Sequence, residues 1–157
     1  MKASEIAQVN VQKRQYQKVY LDYWQSTANI TGTGRPVDGL FSAAAPHAAV
    51  IPDKYRYTGY TTFVNILDYT SLVIPVTRAD KTVDTAQSTS EFLSETDRQV
   101  HSECKCFSSV QNLLMLIDVD DAEVYDGAPV GIQLIGRRLE EERILTLAEY
   151  ISQGLAS

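Results

Sequence analysis

A chain of 157 residues is long enough to bury the core of one domain. Its formal charge of −6 and pI near 4.8 argue against a nucleic-acid partner, because phosphate binding draws on clustered Lys and Arg that this sequence does not show. No apolar run approaches the roughly eighteen residues of a membrane span, and Lys2-Ala3-Ser4-Glu5 lacks the apolar core of a secretory signal, so a soluble cytoplasmic protein is expected.

Residues 4–27 carry a helical pattern that Ser4 can cap. Val9, Tyr16, Val19, Tyr20 and Tyr23 recur on one face, with Lys13, Arg14 and Lys18 at solvated positions. An aromatic stripe at this spacing is read as core or interface rather than as a stacking platform for a ligand, and the helix is expected to pack against protein beyond this chain. Asn29-Ile30-Thr31 has the form of a glycosylation sequon, idle without a secretory signal. Gly32 and Gly34 break the pattern; no helix follows them, which excludes a dinucleotide cradle. A strand is predicted over 38–44, ending before Pro46, and a loop over 46–57 contains His47. With no nucleophile motif to serve, His47 is read as a satisfied loop histidine.

Thr61 or Thr62 can cap a short helix that turns Phe63, Ile66 and Leu67 inward, and 72–76 is a nearly continuous apolar run of the kind central strands show. The polar, Ser- and Thr-rich segment 82–103 reads as surface loop. Cys104 and Cys106 are the only cysteines, too close together to staple anything. With His101 they form half a zinc site lacking a fourth ligand, so no metal is expected, although a metal-binding module is the rival that this trio would support. Asp118, Asp120, Asp121 and Glu123 lack the central Gly of a calcium loop and read as a solvated charge run.

The clearest unit closes the chain. Val130, Ile132, Leu134 and Ile135 form a strand over 130–134, opened by Asp126, Gly127 and Pro129 and closed by Gly136. A helix follows over 139–151: Ile144, Leu147, Ala148 and Ile151 repeat at three and four residues, Glu140, Glu141 and Glu142 sit at the positive end of its dipole, and Gly154 can end it. Gly136 is expected to carry a sharp turn, through left-handed or crowded backbone.

Gly-Ala-Pro-Val-Gly-Ile-Gln-Leu-Ile-Gly-Arg-Arg at 127–138, followed by an acidic turn and Ile-Leu-Thr-Leu-Ala-Glu-Tyr, resembles the closing motif of the amidase signature family, in its fungal acetamidase-like branch. Arg56-Tyr57-Thr58-Gly59-Tyr60-Thr61, Asn65-Ile66-Leu67-Asp68-Tyr69 and Val73-Ile74-Pro75-Val76 are similar to blocks of that family in the same order. Tyr23-Trp24-Gln25-Ser26-Thr27 and Gly34-Arg35-Pro36-Val37-Asp38 fit upstream. The sequence departs from the family at Thr58, where Trp is usual, and at Thr70-Ser71, where Pro-Ala is usual.

The resemblance implies an α/β fold, part of a mixed sheet flanked by helices, and a C-terminal fragment of an amidase domain spanning 1–157. It implies a small-molecule amide as the substrate of the complete enzyme, and no cofactor. The family's two serines and lysine lie in a segment upstream of everything matched here. No Gly-Gly-Ser-Ser run exists in the chain, and Ser108-Ser109 lacks flanking glycines. No catalytic, cofactor-binding or metal residue is therefore assigned, and the chain alone is expected to be inactive. The alternative is a truncated paralogue that associates with a full-length amidase. Residues 104–119, with the apolar burst Leu113-Leu114-Met115-Leu116-Ile117, interrupt what is nearly continuous in similar proteins; they read as an insertion, either an added helix or translated intron sequence.

Overall fold

The computed structural model describes residues 2–49, 53, 55–84, 91–105 and 125–155, with the backbone alone at 102–105. Its elements in order are α1 (Ala3–Ser26), a 3-10 turn (Thr27–Asn29), β1 (Leu40–Ala43), α2 (Gly59–Leu67), β2 (Thr70–Arg78), α3 (Glu95–Lys105), β3 (Pro129–Gly136) and α4 (Glu141–Leu155). The class is α/β, as expected. The three strands form one antiparallel sheet in the order β1-β3-β2. Past its end, β2 trades bonds with the approach to β3: Ala79 N–H donates to Ala128 O at 2.9 Å and Gly127 N–H to Ala79 O at 2.8 Å.

Among the described residues β3 is central and β2 has one strand neighbour, whereas the sequence of 72–76 suggests a central strand. Along β2, Ile74 is buried while its neighbours Val73 and Pro75 are exposed, the alternation of a strand with one covered face. The apolar run is nearly continuous in sequence, but only one of its faces finds partners among the described residues.

Two units divide the chain, and the core belongs to the one formed by Met1–Ser42, Gly59–Ile74 and Gln133–Ser157. Trp24, Val64, Leu67, Ile74, Leu134, Ile135, Ile144 and Ala148 are its buried apolar residues. Trp24 enters from α1 and is fixed at both ends. Its Nε1 donates to Val37 O at 3.0 Å, and Thr27 Oγ1 donates to Trp24 O while accepting Val37 N–H, so the approach to β1 is held against the end of the helix. Its ring meets Tyr69 edge-on at 5.6 Å.

The rest of α1 behaves differently. Residues 2–16 are all exposed, and of the predicted stripe Val9, Tyr16, Val19 and Tyr23 are exposed while Tyr20 is half-buried. Ser4 does not cap the helix. Glu5 does that work, its carboxylate accepting Lys2 N–H at 2.8 Å.

In α2 the start is Gly59, two residues ahead of the predicted cap, and the inward residues are Val64 and Leu67, with Ile66 exposed. Gln17 Nε2 ties α1 to this helix through Ile66 O at 2.8 Å. Buried Gln133 on β3 ties it to the sheet through Tyr60 O at 3.1 Å.

The closing strand and helix match expectation, with Ile144 and Ala148 buried and Leu147 and Ile151 half-buried. Two details differ. Gly154 lies inside α4, which continues to Leu155. Gly136 is not left-handed; Leu139, with φ 61°, is the residue that turns the chain. Gly136 is required by crowding, since a Cβ there would overlap Cγ1 and Cδ1 of Ile144, a side chain with no exposed surface. Gly39 lies under the same helix, where a Cβ would stand 3.1 Å from Leu134 Cδ1 and 3.8 Å from Ile144 Cδ1.

The second unit comprises Ala43–Thr58 and Pro75–Ile132. Within it α3 occupies part of the segment predicted as loop. Ser94 Oγ accepts Asp97 N–H at 3.1 Å, Asp97 accepts Leu93 N–H, and Glu95 pairs with Arg98, so a helix start sits inside a polar stretch without an apolar stripe to announce it. The apolar burst at 113–117 and the charge run at 118–123 lie outside the described residues.

Replacing Gly136 with Ala is expected to destabilise the protein by about 1–3 kcal/mol through overpacking. Part of that loss should return when Ile144→Ala is added, because the two changes meet at one contact. Urea denaturation followed by the fluorescence of Trp24, the only tryptophan, reads both. An unchanged midpoint in Gly136→Ala would mean that α4 does not press on the strand.

Candidate functional site

The turns that join α2 to β2 and β3 to α4 meet the flank of α1 around a cleft of about 440 Å³. Leu21, Leu67 and Tyr69 contribute apolar surface, and Gln17, Lys18, Arg137, Arg138 and Glu140 contribute polar groups. Both turns use left-handed residues, Asp68 at φ 60° and Leu139 at φ 61°. The β3–α4 turn brings Arg137, Arg138 and Glu140 to the cleft, and the two turns are joined by Arg138 Nε to Asp68 Oδ2 at 2.9 Å.

Glu140 is the electrostatic centre. Its Oε2 accepts Arg137 N–H at 3.1 Å, while its Oε1 takes Arg137 Nη2 at 2.6 Å and Arg143 Nη1 at 3.2 Å. Its own carbonyl accepts Ile144 N–H at 2.9 Å, so the residue opens α4. Arg143 also pairs with Asp38, which leads into β1. Burial opposes the charge on Glu140, but the Arg137 side-chain and backbone bonds, with the charges of Arg137 and Arg143, outweigh it and hold the carboxyl below its ordinary range. The bond from Glu140 correspondingly raises Arg137. Above this ring, burial raises the Tyr69 phenol, whose hydroxyl is buried and has no hydrogen-bond partner among the described residues.

The candidates from sequence lie elsewhere. His47 is in a loop as expected, between Tyr55, edge-on at 6.4 Å, and Tyr125, stacked at 6.2 Å. Its buried Nδ1 has no partner among the described residues. His101 lies on α3 beside Phe92 at 5.4 Å, with the Arg98 guanidinium 5.7 Å from the same ring. Cys106, Ser108 and Ser109 and the side chain of Cys104 are outside the described residues, so the His-Cys-Cys trio cannot be assembled. Among the described residues no group of three His, Cys, Asp or Glu could hold a metal, and no helix is long and apolar enough to cross a membrane.

No single stretch of sequence marks the cleft: Arg137 and Arg138 stand inside the closing motif and Asp68-Tyr69 inside another. The signal was the pairing of these two blocks, which lie far apart in sequence and meet only when β2 and β3 share a sheet.

The sheet, its helices and this arrangement of turns define an amidase-type fold: the whole chain superposes on 24% of a fatty acid amide hydrolase with TM-score 0.74 at 23% identity. The sequence agrees. The Amidase family profile matches residues 1–145, and the chain belongs to that family. It is 41% identical to an acetamidase of Aspergillus oryzae over 152 residues, covering 97% of this chain and 25% of that protein. It is 37% identical to an acetamidase of Emericella nidulans, covering 98% of this chain and 25% of the relative. The chain thus spans about a quarter of the length of these curated relatives.

The ionic ring gives a pH dependence of known sign. Because the folded pKa of Glu140 is depressed, its contribution is complete above the ordinary value of 4.5 and is lost as pH falls through the folded value. Urea midpoints should therefore drop on acidification below pH 4.5 more steeply in the parent than in Glu140→Gln. Parallel profiles would show that the carboxylate is not held by its arginines.

Proposed function

We propose that this chain is the C-terminal portion of an amidase that hydrolyses a carboxylic amide to acid and ammonia in the cytoplasm, with residues 104–119 as an insertion, and that the chain alone is inactive. The single observation that carries the reading is the match across almost the whole chain to only a quarter of each acetamidase. Amide hydrolysis needs an activated nucleophile, a base for its proton and oriented donors for the oxyanion. Among the described residues, Ser94 caps α3 and Ser26 donates to the Tyr23 carbonyl, while Lys18 and Lys81 pair with Asp22 and Asp126. None of these contacts makes a serine–base pair.

A second reading, association with the remaining part of an amidase or with a full-length copy, is favoured by α1. About 20 Å of helix, residues 2–16, stands exposed, and Val9, Val19 and Tyr23 are 50%, 65% and 69% exposed. A helix half of that length gains little stability in water without packing. The face falls on the flank of α1 away from Lys18 and Leu21, which line the cleft.

Two measurements test these readings. A fluorophosphonate probe should leave the chain unlabelled, and acetamide and benzamide should not turn over, while a full-length homologue is labelled in the same assay. Stoichiometric labelling with turnover would overturn the inactive reading. Co-expression with the upstream three quarters of an acetamidase should give a complex that Val19→Asp with Tyr23→Asp abolishes; equal recovery of parent and variant would remove α1 as the docking face.

A further inference from the structure

We propose that the cleft between α1 and the two turns is a binding site for a small carboxylate with an apolar body, such as an aryl carboxylate. The inference stands on the cleft itself and does not draw on the amidase reading. At about 440 Å³ the space is of the size that small molecules occupy. Its interior offers Leu21, Leu67 and the ring of Tyr69, which suit an apolar body. Its mouth carries three cations, Lys18, Arg137 and Arg138, against one carboxylate, Glu140.

That carboxylate already pairs with Arg137 and Arg143, which leaves Lys18 and Arg138 to meet an incoming anion. The remaining counter-ions are held loosely. Arg138 and Asp68 are each more than half exposed, as are Lys18 and Asp22, and exposed pairs of this kind exchange with little cost. An incoming carboxylate can take the Arg138 fork in place of Asp68 in the bidentate geometry that guanidinium favours.

The Tyr69 hydroxyl supplies the second anchor. It is buried and without a partner among the described residues, a costly state for a polar group, and its burial keeps it protonated and able to donate. Its charged neighbours, Arg137 and Glu140, both line the cleft. A ligand oxygen drawn to the arginines bonds this donor once the side chains enclosing it shift, because the hydroxyl is buried in the free chain. A neutral amide of the same shape offers no charge to the mouth, and inorganic phosphate offers no body to the interior.

The test is titration of the purified chain with benzoate, acetate, benzamide and inorganic phosphate, by calorimetry and by the emission of Trp24, whose ring touches Tyr69. Benzoate should bind saturably and more weakly as salt rises. Acetate and phosphate should bind about tenfold more weakly, and benzamide more weakly still. Arg138→Ala should weaken benzoate about tenfold and Tyr69→Phe about threefold to tenfold, with circular dichroism unchanged in both. Arg138 is two-thirds exposed and Phe keeps the ring, so neither change threatens the fold. Absence of saturable benzoate binding, equal binding of benzamide or phosphate, or benzoate affinity indifferent to both substitutions would each overturn the proposal.

Discussion

Ile144 rests on bare backbone, and the rest of the first unit is arranged to let it. Gly136 on the central strand and Gly39 ahead of β1 lack the side chains that would hold the helix off, so α4 lies close to the sheet with Ile144 fully enclosed. A buried Ile contributes a few kcal/mol through the surface it removes from water. The close approach also lets the carbonyl of Glu140 start the helix while its carboxylate reaches back to Arg137.

That reach converts a packing contact into an electrostatic frame. Arg137 leaves β3, Arg143 stands one turn into α4, and Asp38 leads into β1; through Glu140 and Arg143 the three are linked. Glu140 also lines the cleft, so the group that closes the strand-to-helix turn belongs to the cleft wall as well. On the opposite side Trp24 fixes the end of α1 to the Val37 backbone and meets Tyr69, the cleft's buried phenol. Fold and site here share residues rather than adjoin.

Where local chemistry decides structure, the sequence was a sufficient guide. The closing strand and helix could be read because β-branched residues, turn residues and a helical period follow one another within a short span, and because the family motif lies on the same residues. What could not be read depended on distant partners. The run at 72–76 resembles a central strand because Val73, Ile74 and Val76 are all apolar, yet its strand neighbours are set by the sheet order and its covered face by what packs on the sheet, and neither is written in the run itself. The helix α3 was hidden because Ser94 and Asp97 cap a segment whose outer residues are polar. Of the candidate site, the arginines and Asp68-Tyr69 stood inside recognised motifs, but their meeting is a product of β2 and β3 flanking one another. The orphaned Tyr69 hydroxyl has no sequence signal at all.

The strand order β1-β3-β2 has a bearing on how the chain is born. Among the described residues the two outer strands do not pair with each other; each pairs with β3, the last of the three in the chain. Of the described elements, α1, β1, α2 and β2 all precede the strand that joins the sheet, and α2 already has α1 to pack on through Gln17 and the Ile66 carbonyl. β3 and α4, joined by a few residues, can then form together at small loop-closure cost and gather the waiting strands around them.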